Sequence, residues 1–549
     1  MGSEEKGTTM TKAWPFTKRA FVWAIAPSSG RAVADILAGA SIPVLLFRSG
    51  AAPAQDDAGA EGGESRGLVR EVGGEEILGI DGHVGRFRIR VRRKDGAVAV
   101  WEAGLVLIHR DAPPSRRDLY GVAVPEANIL TLEALEALAL SEGSEGVPDS
   151  IGVWLDPSEG LPDRVAAERA FRALLGLMHK GNPECTVLCR HVPLWGPGGQ
   201  QLYDELREKC VRFLRLGEEK PNLKPAGGKV ELEVEDRTIS DRPVRLLLDR
   251  VLVVGQPSPP AEAGGIASRL ADPLDGEGFL QKDNAHLYPS RSFRRGIYYL
   301  GDCKGEQAAE ELAEEVGAIL PEVLVPVTSG EIHAPEGVRI DRGHCVSCLT
   351  CYRACPHHAL DISQGPVPVP VDPACYGCGL CAALCPGRAI ELVRKPKEAP
   401  RVEGSGTTPA GGEPARTVLF CCSRSAPRPA AGNEAQGPHP IPERSCVIEI
   451  PCACSVSEEM LLEAFLKGAE QVVIVGCHPD NCVSQKGSSA GEKRAARVGR
   501  TLAASGEDPA DRVRFVAVAP NEAHRRTNVL RGLGDTTSRQ TGSPDPVAD

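Results

Sequence analysis

The chain has 549 residues, of which 42% are hydrophobic and 25% charged, and its formal net charge is -11. A chain of this length exceeds what a single core accommodates, so we expect about three domains. The acidic balance, which no local run of lysine or arginine offsets, excludes nucleic acid as the expected partner.

The first twenty residues contain no apolar segment that leads to a small-residue cleavage site, so we expect no secretory signal. Nineteen cysteines in such a chain favour metal or redox chemistry in the cytoplasm over disulfide bonds. The most apolar early stretch, residues 20–47, is interrupted by Pro27, Arg31 and Asp35. We therefore expect no direct membrane insertion, so that any association with a membrane would come through a partner.

Residues 14–330 alternate strand-like and helix-like stretches, which predicts an α/β architecture. Between residues 85 and 100, apolar residues alternate with arginines ahead of Asp95-Gly96, a pattern that predicts a half-exposed hairpin turning at these two residues. Two later apolar runs, 251–254 and 297–300, are each followed by glycine, as buried parallel strands often are. The predicted strands are 21–25, 44–47, 251–254 and 297–300, and the first predicted helix is 31–38.

A dinucleotide-binding turn would place Gly-x-Gly-x-x-Gly after the first strand, but in residues 25–30 only the last glycine, Gly30, survives. Arg48 stands where an acidic residue would bind the ribose. Several later stretches nevertheless resemble the flavoprotein component of heterodisulfide reductase, a family with a thioredoxin-reductase-like FAD fold. These stretches are residues 84–87, 201–216, 251–255 and 296–302.

The resemblance implies a degenerate FAD/NAD(P)-binding Rossmann-like domain. Gly301 and Asp302 match the place where that family holds the ribityl and phosphate end of the flavin, and Gly30 remains from the phosphate turn. The cysteine-rich insertions of the family are absent, and Lys94-Asp95-Gly96 closes a short hairpin instead. Two alternatives stay open: FAD binds in this cleft, or the fold is a scaffold on which partners dock.

Two copies of one cysteine motif follow, thirty residues apart: Cys345-x2-Cys348-x2-Cys351-x3-Cys355-Pro and Cys375-x2-Cys378-x2-Cys381-x3-Cys385-Pro. Such a repeat is typical of an α+β bacterial dicluster ferredoxin, in which the fourth cysteine of each run binds the other cluster. We therefore predict two 4Fe-4S clusters. The first has the ligands Cys345, Cys348, Cys351 and Cys385, and the second has Cys375, Cys378, Cys381 and Cys355. Zinc is the alternative, but zinc sites use separated cysteine pairs.

After a polar stretch at 396–416, which we interpret as a linker, strand-like runs lead three times into cysteines. Residues 417–420 lead into Cys421-Cys422, residues 447–451 into Cys452-Ala-Cys454, and residues 471–475 into the run from Cys477 to Cys482. A helix that begins after Ser457 and ends before Gly468 separates the second and third runs. Because the carboxyl ends of parallel strands meet at one edge of a sheet, these cysteines should converge.

This pattern resembles the delta subunit of methyl-viologen-reducing hydrogenase, a family that carries a 2Fe-2S cluster. Carried over by motif position, the resemblance implies Cys422, Cys452, Cys477 and Cys482 as ligands, with Cys421 or Cys454 as replacements. That family usually has cysteine at the position of Ser425 and glycine at that of Cys454. A thiol cluster without iron is the alternative, and His478 is expected to order its loop.

The predicted architecture is thus α/β multidomain, with a small α/β iron-sulfur domain at the C-terminal end. Its predicted parts are a disordered tail at 1–13, a flavoprotein-like domain at 14–330, a ferredoxin at 335–395, a linker at 396–416, a hydrogenase-delta-like domain at 417–534 and a disordered tail at 535–549. The order also resembles that of the second subunit of the quinone-interacting membrane-bound oxidoreductase.

We interpret the chain as an electron-transfer subunit of a heterodisulfide-reductase-like, hydrogenase-linked or dehydrogenase-linked complex, and assign no residue as acid, base or nucleophile. Its expected partners are the other subunits of such a complex. The alternative is a self-contained FAD/iron-sulfur oxidoreductase that acts on a small substrate. A purely structural assembly protein would not need eight correctly spaced thiolates.

Overall fold

The structure is a computed structural model. It describes residues 11–25, 30–48, 68–72, 76–110, 125–143, 146–155, 163–180, 183–194, 198–217, 221–235, 243–255, 259–284, 288–305, 311–393, 397–398, 417–425, 445–504, 512–519 and 522. The chain divides into two compact units: Met1–Ile108 with Glu262–Tyr299 and Val316–Asp549, and His109–Ala261 with Leu300–Glu315. Residues 14–330, which the sequence analysis treats as one domain, contribute to both units.

The first unit begins with buried apolar strands, as their sequences predict. Its elements are β1 (Thr11–Pro15), β2 (Ala20–Ala24), α1 (Arg31–Gly39), β3 (Val44–Arg48), β4 (Val69–Glu71), β5 (Glu76–His83), β6 (Arg86–Arg92), β7 (Val98–Ala103) and β8 (Leu105–Arg110). Every residue of β2 is buried, which is why its sequence is continuously apolar. In β6, buried apolar residues alternate with exposed arginines, and β5, β6 and β7 form an antiparallel sheet. The predicted hairpin is confirmed.

The second unit contains a five-stranded parallel sheet. Its elements are β9 (Ile129–Leu130), α2 (Leu132–Leu140), β10 (Ser150–Leu155), α3 (Arg164–Met178), β11 (Glu184–Cys189), α4 (Gly199–Glu208), β12 (Arg212–Arg215), β13 (Asn222–Ala226), β14 (Lys229–Val234), β15 (Val244–Leu248) and β16 (Arg250–Val254). The strand order is β12-β11-β10-β16-β9, and the helices cover one face through an apolar core that includes Phe171 and Leu174. The antiparallel sheet β13-β14-β15 covers the other face, against Trp154 and Leu188.

The chain then returns to the first unit. The returning elements are α5 (Ala263–Leu270), β17 (Ile297–Gly301), α6 (Glu311–Ser329) and β18 (Glu331–Pro335), although the last two residues of β17 and the first five of α6 belong to the second unit. Strand β17 joins a sheet of order β17-β8-β2-β3-β4, and β18 pairs with β1. The two α/β sheets together give the Rossmann-like FAD/NAD(P)-binding architecture that the sequence predicts.

The cysteine repeat folds into two matching halves. Its elements are β19 (Val338–Ile340), α7 (Thr350–Ala354), β20 (Leu360–Asp361), β21 (Val369–Pro370), α8 (Leu380–Leu384) and β22 (Ile390–Leu392). Strand β19 pairs with β22, and β20 pairs with β21, both antiparallel. Each short helix ends at the fourth cysteine of its run, Cys355 or Cys385.

The C-terminal region is a five-stranded sheet of order β23-β25-β24-β26-β27. Its elements are β23 (Lys397–Glu398), β24 (Thr417–Cys422), β25 (Ser445–Ile450), α9 (Glu458–Leu466), β26 (Gln471–Gly476), α10 (Gly487–Ala504) and β27 (Val513–Ala517). Strands β24 to β27 are parallel, so the cysteine-bearing ends meet at one edge as predicted. Helix α9 begins after Ser457, whose hydroxyl caps the Met460 amide.

Two boundary predictions need correction. Strand β1 includes Thr11–Ala13, which the sequence analysis assigns to a disordered tail, because these residues pair with β18. Lys397–Glu398, predicted as linker, pair with Ile448 and Glu449 of β25. Edge strands are held by backbone hydrogen bonds, so their polar side chains gave no signal. The predicted phosphate turn at 26–29, residues 399–416 of the linker, and tail residues 1–10 and 535–549 lie outside the described residues.

No helix in the described part of the chain combines the length and apolar character needed to cross a bilayer.

Candidate metal centres

The eight cysteines of the repeat surround two separate cavities. The first cavity, which we call site one, is lined by Cys345, Cys348, Cys351 and Cys385. The second, site two, is lined by Cys355, Cys375, Cys378 and Cys381. Each cavity thus collects three cysteines from one run and the fourth from the other, which is the grouping that the sequence predicts. Helix α7 carries Cys351 at site one and ends at Cys355 of site two, so the two sites are neighbours.

The two cysteine runs also share their backbone conformation at matching positions. Left-handed residues recur at matching positions in the two runs: Ser347 and Gly377 (φ 52° and 63°), Leu349 and Gly379 (58° and 81°), and His358 and Arg388 (50° and 49°). Such turns direct backbone N–H groups to one side, where they form anion-binding concavities. The Gly377 amide donates to Cys375 Sγ at 3.4 Å, and the Ala389 amide donates to Cys385 Sγ at 3.3 Å.

Burial opposes the ionisation of the site-two thiols. It raises the pKa of Cys355 to about 12 and also raises the pKa values of Cys375 and Cys381. Four thiolates packed together without a cation would be unfavourable, whereas iron supplies the compensating positive charge. The donor set, the enclosing cavity and the amide donors therefore fit an iron-sulfur cluster at each site.

Site one is more open. Cys348 is exposed, and its pKa is lowered because Thr350 hydrogen-bonds to its sulfur. Nearby Val346 and Tyr352 are 66% and 42% exposed. At site two, by contrast, all four cysteines are partly buried, and the lining residue Leu380 is 3% exposed.

A histidine borders site two. His357 Nδ1 lies 2.7 Å from the Phe293 carbonyl oxygen, which fixes Nδ1 as the donor in this contact and turns the other face of the ring to the cysteines. The ring stacks on Tyr376, with centroids 4.3 Å apart. The pKa of the Cys378 thiol is lowered because the Cys454 side chain hydrogen-bonds to Cys378 and because His357 lies nearby.

A buried ion pair lies beside these rings. Arg424 is paired with Asp283, whose side chain is fully buried, and the guanidinium lies 5.6 Å from the Tyr376 ring centroid. Burial raises the pKa of Asp283, which the Arg424 charge opposes. This pair ties the loop after Cys422 to the flavoprotein-like part of the same unit.

A third group of cysteines lies at the carboxyl edge of the C-terminal sheet. We call it the thiol pocket; its members are all buried and are Cys422, Cys452, Cys454, Cys477 and Cys482. Cys422 Sγ and Cys477 Sγ are 4.0 Å apart. Gly487, the first residue of α10, leaves the room that this packing needs, since a Cβ there would lie 2.5 Å from Cys452 Sγ.

Hydrogen bonds among the thiols divide them into donors and acceptors. Cys422 accepts from Cys452 and Cys477, which lowers the pKa of Cys422 and raises those of its donors. The pKa of Cys482 is lowered to about 7, first by a hydrogen bond from Cys452 and, against the effect of burial, by Ser488. Because Ser488 lies in the first turn of α10, the helix dipole also favours thiolate there.

Other residues named by the sequence lie outside the pocket. Cys421 packs on the opposite face of the sheet, with Leu419 and Val473. Ser425 donates to backbone carbonyls of Cys422 and Val475, both at 3.4 Å. His478 Nε2 contacts Glu522 Oε2 at 2.8 Å, which agrees with a loop-ordering role.

The residues considered for flavin binding contact other residues of their own units. Gly30 adopts φ 81° at the start of α1, where a Cβ would lie 2.5 Å from Ala24 Cβ, so it permits close helix–strand packing. Arg48 is ion-paired with Glu71 at 2.7 Å. In the second unit, the Asp302 amide donates to the Arg110 carbonyl at 3.0 Å, and a Cβ on Gly301 would clash with that carbonyl. These contacts assign no group to a flavin.

Sequence reasoning missed Arg424, Arg494, His357 and the position of Cys454 next to Cys378. A signal was present in the repeat itself, because the thirty-residue spacing places His357 opposite Gly387, which breaks the symmetry of the two halves.

Comparison with known proteins agrees with the cysteine groups. Residues 344–390 match the 4Fe-4S dicluster domain, and residues 417–538 match the methyl-viologen-reducing hydrogenase delta subunit. Over 96 residues the chain is 29% identical to an iron-sulfur subunit of the F420-non-reducing hydrogenase of Archaeoglobus profundus, which covers 18% of this chain and 69% of that protein.

A longer match covers the N-terminal part as well. Over 460 residues the chain is 24% identical to a subunit of the ferredoxin:CoB-CoM heterodisulfide reductase of Methanosarcina mazei, which covers 78% of this chain and 56% of that protein. The chain thus spans about half the length of the curated heterodisulfide reductase subunits it matches. Among solved structures, Lactococcus lactis thioredoxin reductase is 15% identical with a TM-score of 0.35, covering 57% of this chain and 99% of that chain.

Proposed function

We propose that this chain, which is similar to a heterodisulfide reductase subunit and carries a dicluster ferredoxin and a hydrogenase-delta domain, transfers electrons within a redox complex. The complex would be heterodisulfide-reductase-like, or linked to a hydrogenase or dehydrogenase. The names of the relatives, which describe subunits of such assemblies, support this.

The observation that carries the proposal is the grouping of eight cysteines around two adjacent cavities. Cys345, Cys348, Cys351 and Cys385 would hold one 4Fe-4S cluster, and Cys355, Cys375, Cys378 and Cys381 the other. When bound, each cluster would accept or release one electron at a time. The protein's part is to fix the ligands, to bury site two and to leave site one open to partners.

The thiol pocket would hold a 2Fe-2S cluster through Cys422, Cys452, Cys477 and Cys482. These four thiols come from three strand ends and from the loop that precedes α10, and they contact one another in the core. The Ser488 donor and the α10 dipole would favour the anionic ligands that iron needs. We place the protein in the cytoplasm, where such thiols stay reduced, and expect any membrane association to come through a partner.

Anaerobic purification followed by iron, sulfide, zinc and flavin analysis tests this function. We expect about ten irons and about eight sulfides per chain, from two 4Fe-4S clusters and one 2Fe-2S cluster. Zinc in place of iron, or no bound metal, would overturn the proposal. So would stoichiometric FAD that a small substrate bleaches in the absence of partner proteins, because that result describes a self-contained flavoenzyme.

A further inference from the structure

Cys454 is a member of the thiol pocket that also contacts Cys378 of site two. Its side chain is fully buried, on the 3-10 turn Ala453–Ser455, and this turn packs against α8 of the ferredoxin repeat. Cys454 Sγ is 3.4 Å from the Cys378 carbonyl oxygen. The same apolar cluster contains the other four pocket thiols together with Cys378.

The turn is held in place from both sides. The buried Arg494 guanidinium donates to the carbonyl of Cys454 at 2.6 Å and to that of Val456 at 3.0 Å. On the other side, Gly379 precedes α8 with φ 81°, and a Cβ there would lie 2.7 Å from Ser455 Cβ. The close approach of the turn to α8 therefore depends on the absence of a side chain at residue 379.

Cys454 is surplus to a four-ligand site. The pocket already provides four thiols that contact one another, while the Cys454 thiol donates to the carbonyl oxygen of Cys378 and packs in the same buried cluster as Cys452. A residue with this position touches one ligand of each of two neighbouring sites.

We propose that Cys454 is a connecting residue, not a ligand, and that its thiol joins Cys378 of site two to Cys452 of the thiol pocket. This inference rests on the proposed function. Electron tunnelling is faster through atoms in contact than across a gap, so the Cys378–Cys454–Cys452 contacts give the two sites a short route. One centre would lose the electron that the other gains. The S–H group of Cys454, which donates to the carbonyl of the ligand Cys378, would also favour the reduced, more negative cluster at site two.

The test uses C454A and C454S in the full chain, purified anaerobically, with potentiometric EPR and rapid reduction kinetics. We expect iron content to stay that of the wild type, and the midpoint potential of one 4Fe-4S centre to fall in C454A. C454S should restore part of that potential because serine keeps a donor. Electron exchange between that centre and the 2Fe-2S centre should slow by roughly tenfold in C454A. C446A, a cysteine on β25 outside the pocket, is the control.

Each result decides the question. Loss of about two irons per chain in C454A or C454S would make Cys454 a ligand and overturn the inference. If the midpoint potential and the electron exchange rate are both unchanged in C454A, Cys454 only packs the core and the inference is overturned. A wild-type protein without iron would instead overturn the proposed function, which separates the two failures. If C454A does not assemble its clusters, C454S, which is closer in size, carries the test.

Discussion

Site one and site two arise from two copies of the same motif, yet their surroundings differ. Site one includes an exposed cysteine, Cys348, and has exposed apolar neighbours in Val346 and Tyr352. Site two lies under His357, Tyr376 and the Arg424–Asp283 pair. The difference teaches that the motif fixes which sulfurs converge, whereas burial, charge and hydrogen bonds at each cluster depend on what packs outside the repeat.

Removing one ligand from each site gives the largest expected effect. C351A should lose about four irons from site one, and C381A about four from site two. C381A should also lower the melting temperature more, since site two is packed into the core of its unit. Iron analysis and thermal unfolding of the anaerobic proteins measure both effects. Equal melting temperatures for C351A and C381A would contradict the prediction that site two contributes more to the stability of the core.

Breaking the ion pair beside site two should have the next largest effect. R424M leaves the Asp283 carboxylate buried and unpaired, which costs about 3–5 kcal/mol and should lower the melting temperature by roughly 10 °C. R388M is the matched control near site one, because Arg388 and Glu459 are 80% and 65% exposed and such pairs contribute about 1 kcal/mol or less.

The double variant D283N/R424M sharpens this test. It removes both charges, so it should be more stable than R424M. If R424M melts like the wild type, Asp283 does not depend on Arg424 for its charge balance.

Limited chelation should separate the sites kinetically. Because Cys348 is exposed whereas all four cysteines of site two are partly buried, an iron chelator should remove iron from site one first. EPR spectra recorded during chelation of wild-type protein, compared with those of C351A and C381A, identify the centre that disappears. Loss of site two first would mean that solvent access does not control cluster release.

The grouping of the eight ferredoxin cysteines could be predicted because it is local: the spacing within each run and the crossing of the fourth residue follow from short helices. The convergence of Cys422, Cys452, Cys477 and Cys482 at one edge was predictable from strand order alone. The face on which Cys421 lies was not fixed by the pattern, because neighbours along a strand point to opposite sides and the sequence left both as candidates.

Contacts between regions distant in sequence could not be predicted. The pairing of Arg424 with Asp283 and the contact of Cys454 with Cys378 depend on how the C-terminal sheet packs in its unit. Neither pair has a spacing rule. Whether a flavin binds could not be predicted either, since Gly30 packs closely against Ala24, and a glycine there does not by itself distinguish this use from phosphate binding.

The stability of the protein should depend on pH with opposite signs near site two and near site one, and this is the smallest expected effect. Burial raises the pKa of Asp272, which accepts hydrogen bonds from Tyr299 and Ser292 and interacts with the nearby His357 and Arg294. Its contribution to stability is therefore present below its unfolded pKa of about 4 and is lost as pH rises through the folded value. Near site one, the hydrogen bond from His344 lowers the pKa of Asp341, so that contribution is present above about 4 and is lost as pH falls through the folded value.

The variants D272N and D341N test this difference through the pH dependence of their melting temperatures. D272N stays neutral, so its melting temperature should rise relative to wild type as pH increases through the folded pKa of Asp272. D341N should melt slightly below wild type at neutral pH, and the gap should close as pH falls through the folded pKa of Asp341, because the lost interaction requires the carboxylate. The Asp341 effect should be small, since that ion pair is exposed. If D272N instead falls further below wild type as pH rises, the ionised carboxylate stabilises the core, and the region around site two accommodates negative charge despite its burial.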